Sequence, residues 1–240
     1  MSRPTPSERL AAIGAAATEV FRRLGYRGTR TADVAARAGM SAGSLFNYVE
    51  SKEALFHLVF INGLGLLSEV PPVLPLRTPE PGETYALIAR AFAEAPASRL
   101  RAALATSEPA DVGQELCEIV EELYDLVERN WPLLAVVERC AAELPELDAL
   151  WFGDTRPAIF SELTEYLERR TASGLLRAMP DATVAARVVI ESVSWFAWHR
   201  REGRDASLYD DQTVRRTVIE FSCAALVPES PKEDESWTTP

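Results

Sequence analysis

The chain is poor in the side chains that most catalytic and metal-binding proteins depend on. Only two histidines, His57 and His199, and three cysteines occur in 240 residues. There is no H-E-x-x-H, no C-x-x-C and no nucleophile elbow, so zinc and serine-hydrolase chemistry have no motif to start from. Acidic residues are plentiful but scattered along helix faces, where solvation is their ordinary role. No glycine-rich phosphate loop, strand-period run or internal repeat is visible. We therefore expect no catalytic residue, no metal site and no cofactor. Long apolar runs are also missing: none approaches the roughly 18 residues of a membrane-spanning helix. The opening M-S-R-P-T-P-S-E-R lacks the apolar core of a signal peptide. Cys117, Cys140 and Cys223 are odd in number and far apart, which predicts buried, reduced thiols in a cytoplasmic protein.

What is present is helical pattern from end to end. The 47% hydrophobic and 25% charged content is that of an ordinary globular chain. After a two-proline arm that includes Arg3, Ser7 to Leu24 carries Leu10, Ile13, Ala17, Val20, Phe21 and Leu24 at spacings of three and four. Gly25 ends that helix. A further helix is expected from Lys52 to about Ser68, with Leu55, Val59 and Leu66 on one side and Gly63 and Gly65 weakening its far end. His57 on it is read as a packing or surface residue. Residues 71–82, P-P-V-L-P-L-R-T-P-E-P-G, cannot be helical and are read as a domain boundary. Helices are then expected at about 83–95, 97–107, 111–130, 132–143, 155–172, 181–202 and 207–226. Pro132 and its fellow prolines would sit at or near helix starts. Residues 228–240 are polar and acidic and are expected to be disordered.

The stretch Thr31 to Lys52, T-A-D-V-A-A-R-A-G-M-S-A-G-S-L-F-N-Y-V-E-S-K, organises the rest. Thr31 is a candidate N-cap, Val34, Ala35 and Ala38 face inward, and Gly39 suits a positive-φ helix end. Ser41 can cap a second helix with Leu45 and Val49 on its inner face. The outer face holds Ala42, Gly43, Ser44, Phe46, Asn47 and Tyr48, with no acidic residue. Small and aromatic groups there suit close approach to base edges and sugar-phosphate. Ser51-Lys52 opens a further helix whose free N–H groups and ammonium favour a phosphate. This is a helix-turn-helix pattern.

The run Gly25 to Leu55 resembles the DNA-binding domain of the TetR family of bacterial transcriptional regulators. Phe46 and Val49 depart from the Tyr and Phe more usual there. The resemblance covers about the first quarter of the chain. It implies an all-α protein with a three-helix DNA-binding domain at 1–51, a connecting helix at 52–70 and a helical ligand-binding and dimerisation domain at 71–227. It implies DNA contacts by Thr31, Ser41, Ala42, Gly43, Ser44, Phe46, Asn47, Tyr48 and Lys52. A small ligand would sit among the body helices, where Phe92, Leu116, Tyr124, Trp131, Trp151, Phe160 and Trp195 are the candidates. The ligand would be apolar or aromatic, because no cationic cluster is visible. The last two helices would pair with a second copy, with Val188 and Phe221 as candidate interface residues.

Charge distribution agrees with a DNA-binding end. The net charge is −11, yet residues 1–60 carry eight basic and five acidic side chains, a net of +3, and the remainder carries −14. A basic head on an acidic body favours end-on binding to a duplex. The leading expectation is a ligand-responsive repressor that binds a palindromic operator as a homodimer. The alternatives are a regulator of the same fold governed by a protein partner, and a helical enzyme or carrier whose N-terminal corner is structural.

Overall fold

A computed structural model describes residues 5–68, 73–94 and 97–228. The regular structure in them is helical, apart from one isolated parallel bridge between Val49 and Leu76. The helices are α1 (Pro6–Gly28), α2 (Thr31–Arg37), α3 (Ala42–Leu45), α4 (Lys52–Gly63), α5 (Glu83–Glu94), α6 (Ser98–Ala105), α7 (Val112–Ala141), α8 (Pro145–Asp148), α9 (Arg156–Ala172), α10 (Ala182–Ala197) and α11 (Asp211–Leu226). The Arg3 arm and the expected disordered tail from residue 229 onward lie outside the described residues.

Contacts divide the chain into two compact units, Met1–Pro96 with Leu126–Ile159, and Ala97–Asp125 with Phe160–Pro240. The division does not fall at the proline-rich stretch 71–82. That stretch is instead tied to the head: Leu76 N–H donates to the Tyr48 carbonyl at 2.7 Å, and Glu50 N–H donates to the Leu76 carbonyl at 3.0 Å.

In the first unit α1 packs on α4 and α2, and α2 on α3. Leu10, Ile13, Ala17, Phe21, Val34, Leu45, Val49, Leu55, Leu58 and Val59 are fully buried in its core, which continues through Ile88, Val136, Val137, Cys140 and Leu147. A Cβ on Gly14 would come within 2.8 Å of Asn62 Cβ, so glycine permits the close crossing of α1 and α4. Helix α4 is buried from Ala54 through Phe60 without a break. It ends at Gly63, not near Ser68; Gly65 takes φ +74 and a short 3-10 turn follows. His57 is a packing residue, its Nδ1 at 3.0 Å from Thr84 Oγ1, and burial pushes its pKa down.

One expectation about α7 needs correction. Helix α7 is continuous through Pro132 instead of breaking into two. Proline there removes one ladder hydrogen bond, but buried Ala135, Val136, Val137 and Cys140 hold the following turns in place. After α8, residues Ala149–Thr155 form a π-helical segment that runs into α9.

The second unit is knit by arginines, two of them buried. The Arg170 side chain, 3% exposed, pairs with Glu115 at 2.9 Å and donates to the Ala103 carbonyl at 2.8 Å, joining α6, α7 and α9. Arg215 on α11 bridges Asp125 and Glu121 on α7 at 2.8 and 2.6 Å. Arg200, fully buried, reaches Asp211 and the Phe196 carbonyl. The expectation of three reduced thiols is overturned. Cys117 on α7 and Cys223 on α11 form a disulfide with Cα atoms 5.7 Å apart. Cys140 alone is free, and its burial pushes the thiol up to about 12.

Candidate nucleic-acid interface

Capping fixes the local geometry of the head. Thr31 is not the N-cap of α2. Arg30 takes that position with extended backbone, and the Asp33 carboxylate accepts from Arg30 N–H at 3.1 Å. Thr31 is the first helical residue and is half-buried. Gly39 adopts φ +67, as the turn requires. Ser41 then caps α3, accepting from Ser44 N–H at 3.1 Å. Only Ala42–Leu45 form full α-helix, and turns carry the chain on to Val49. Leu45 and Val49 are fully buried in the core of the first unit.

The outward side is open. Ser41, Ala42, Gly43, Ser44, Phe46 and Asn47 are all exposed, and the Phe46 ring has 47% of its surface in solvent. A Cβ on Gly43 would meet nothing within 4 Å, so this face leaves room for a large partner. Tyr48 differs from expectation: it is half-buried and packs against the core. The next helix is capped by Ser51, which accepts from Ala54 N–H at 3.1 Å. Lys52 lies beside it, its Nζ 4.7 Å from the Tyr26 ring centre and 3.4 Å from the Arg27 carbonyl oxygen. Burial and then the neighbouring Glu53 push the Tyr26 phenol above its ordinary pKa.

Residues 13–59 match the family model described as bacterial regulatory proteins, tetR family. The match spans α1 to α4 of the head and does not extend to the rest of the chain. Among solved structures, the chain is similar to the ketosteroid transcriptional regulator KstR2 of Mycobacterium tuberculosis, at 16% identity and a TM-score of 0.58, covering 92% of this chain and 96% of that one. It is similar to AibR, solved with isovaleryl coenzyme A and operator DNA, at 21% identity and a TM-score of 0.52, covering 89% and 97%. A tetR-family regulatory protein from Rhodococcus RHA1 aligns at 18% identity and a TM-score of 0.51, covering 90% and 96%. At these identities the likeness is one of fold. No curated protein matches the sequence.

Beyond the head, the expected ligand-pocket residues divide between the two units. Phe92, Trp131 and Trp151 belong to the first unit, and Leu116, Tyr124, Phe160 and Trp195 to the second. Phe92 and Trp151 pair with ring centres 5.4 Å apart, and Arg22 stacks over Trp131 at 5.1 Å. Trp195 is 42% exposed and lies edge-on to Phe196. A cavity of about 260 Å³ in the second unit, lined by Leu167, Leu176, Met179, Ala182, Ala185 and Leu226 among others, contains none of them. Val188 and Phe221, the expected interface residues, are 55% and 70% exposed. Val184 on α10, 59% exposed, lies one turn before Val188.

Among the described residues no helix is long and apolar enough to cross a membrane, and no cluster of metal-ligating side chains occurs. Glu143 is the residue that sequence reasoning missed. It follows α7, yet its carboxylate accepts from Arg27 N–H at 2.5 Å, across a separation of 116 residues. No local pattern could have pointed to it.

Proposed function

We propose that this chain is a dimeric, effector-responsive repressor that reads a palindromic operator through Ser44, Phe46 and Asn47. Ser41, Ala42 and Gly43 allow the close approach to bases and backbone, while Thr31, Tyr48 and Lys52 reach phosphates at the edge of the contact. The observation that carries this reading is the exposed, acid-free face Ala42–Asn47 on a head of the TetR family. An exposed phenylalanine beside small residues fits a thymine methyl and the groove wall better than it fits water.

Two-fold pairing is supported by the apolar residues of α10 and α11 that remain in solvent: Val184, Val188 and Phe221. A palindrome-reading dimer sets its heads about one DNA turn apart, roughly 34–36 Å. An effector is supported by the apolar cavity in the second unit and by AibR, which was solved with both isovaleryl coenzyme A and operator DNA. For this chain the effector is a small apolar or aromatic molecule. Effector and operator binding are then linked by about 1–3 kcal/mol of coupling, reciprocal by thermodynamic necessity.

Selection of genomic fragments by the full-length protein, followed by sequencing, tests the reading. A shared inverted repeat is the expected result. Recovery of no enriched sequence refutes it, and an enriched but asymmetric site refutes the dimeric part. Compounds processed by genes next to the recovered sites then enter titrations with and without operator. Equal compound affinity in both titrations removes the effector and favours control by a protein partner.

A further inference from the structure

The Gly25–Arg27 corner joins α1 to the DNA-reading helices. It is held from two directions. Gly25 adopts φ +73, a conformation glycine takes without strain. From the start of α4, Lys52 Nζ lies 3.4 Å from the Arg27 carbonyl and over the Tyr26 ring, while the Tyr26 hydroxyl donates to Glu53 at 3.2 Å. From beyond the end of α7, the Glu143 carboxylate accepts from Arg27 N–H at 2.5 Å. A Cβ at Gly25 would stand 2.4 Å from Glu143 Oε1, so the carboxylate occupies the space the glycine leaves.

Two residues past this corner, the Thr29 hydroxyl donates to the Gly25 carbonyl at 2.7 Å, and Arg30 then begins the capping arrangement of α2. The entry angle of α2, and through it the placement of α3, starts from this corner. Lys52, the expected phosphate contact, is fastened to two of these residues, Tyr26 and Arg27. Glu143 contributes to the site without belonging to the reading face.

We propose that Glu143 is a positioning residue for operator binding: its carboxylate fixes the Arg27 backbone and so sets the α2–α3 turn in its DNA-reading geometry. The inference rests on the DNA-binding reading above. It makes a prediction opposite in sign to simple electrostatics. Removing an acidic group near a DNA-binding face should strengthen binding at every sequence. Removing a positioning group should weaken binding at the selected operator and spare unrelated duplex.

The test uses the full-length chain and the operator recovered by fragment selection. Affinities of wild type, E143A, E143D and E143Q are measured over a salt series, with melting curves as the folding control. E143D keeps the charge and withdraws the oxygens by one methylene, so it serves even if E143A does not fold. E143Q keeps an acceptor oxygen at the same reach. We expect E143A and E143D to lose about tenfold at the operator, with the salt slope unchanged because no phosphate contact is lost. E143Q should stay within about threefold of wild type, since an amide oxygen still accepts from the backbone. E143D binding as tightly as wild type overturns the proposal, as does E143A binding more tightly. A wild type that selects no DNA removes the DNA-binding reading itself and this inference with it, an outcome distinct from equal affinities among the variants.

Discussion

Replacing Phe221 by Asp should convert a dimer into a monomer of 26.5 kDa. Phe221 lies on α11 with 70% of its surface exposed. A phenylalanine buries about 150–250 Å² when fully covered, so roughly 100–170 Å² remains for a partner. At about 25 cal/mol per Å² this is worth about 2.5–4 kcal/mol per ring. A two-fold interface uses the residue twice, which gives roughly 5–8 kcal/mol, or about 10⁴- to 10⁶-fold in Kd. The aspartate adds the cost of desolvating a carboxylate, so the estimate errs toward too small an effect. Sedimentation velocity at about 10 μM reads the result directly. Val73→Asp is the control, because Val73 is 85% exposed but belongs to the other compact unit. If F221D keeps the mass of a dimer, or V73D loses it, the α10–α11 face is not the interface.

Three further outcomes follow from the contacts described. Lys52→Ala should weaken DNA binding about equally at all sequences and lower the salt slope by roughly one contact, whereas changes at Asn47 should alter the preferred sequence; fluorescence anisotropy on matched and mismatched duplexes separates the two. Glu115→Ala leaves the buried Arg170 guanidinium without its carboxylate, a loss of about 3–5 kcal/mol, and calorimetry should record a melting temperature lower by roughly 10 °C. Opening the Cys117–Cys223 bond with a reductant, or by Cys223→Ser, frees a loop spanning 106 residues, worth up to about 4–5 kcal/mol of stability; a melting temperature indifferent to reductant would show that the bond carries no such load.

The head was largely legible because its determinants are local. Ser41 and Ser51 sit at their caps, Gly39 at its positive-φ turn, and Leu45 and Val49 in the core, each signalled by residues within four positions. Thr31 misled because a threonine before an apolar run satisfies the cap pattern, while Asp33 performs the capping from inside the helix. Pro132 misled because a proline's local cost is visible in sequence and the packing of the turns after it is not. The Cys117–Cys223 pair and the Glu143–Arg27 contact, separated by 106 and 116 residues, depend on how helices pack and leave no periodic trace. Aromatic content suggested one pocket, but aromatic side chains report burial in general, and the structure distributes these between two units.

Helix α4 carries a consequence for how signalling variants will be distributed. Seven consecutive residues, Ala54 to Phe60, are buried, so the middle two turns of this helix have no solvent-facing side on which substitutions are free. A helix enclosed on every face cannot tilt as a separate lever; its neighbours α1 and α5 must repack with it. For the proposed effector response, substitutions that change responsiveness should therefore be sought among volume changes in that shared interior, where Gly14 meets Asn62 and Phe56 meets Phe21, and not among charges on the surface.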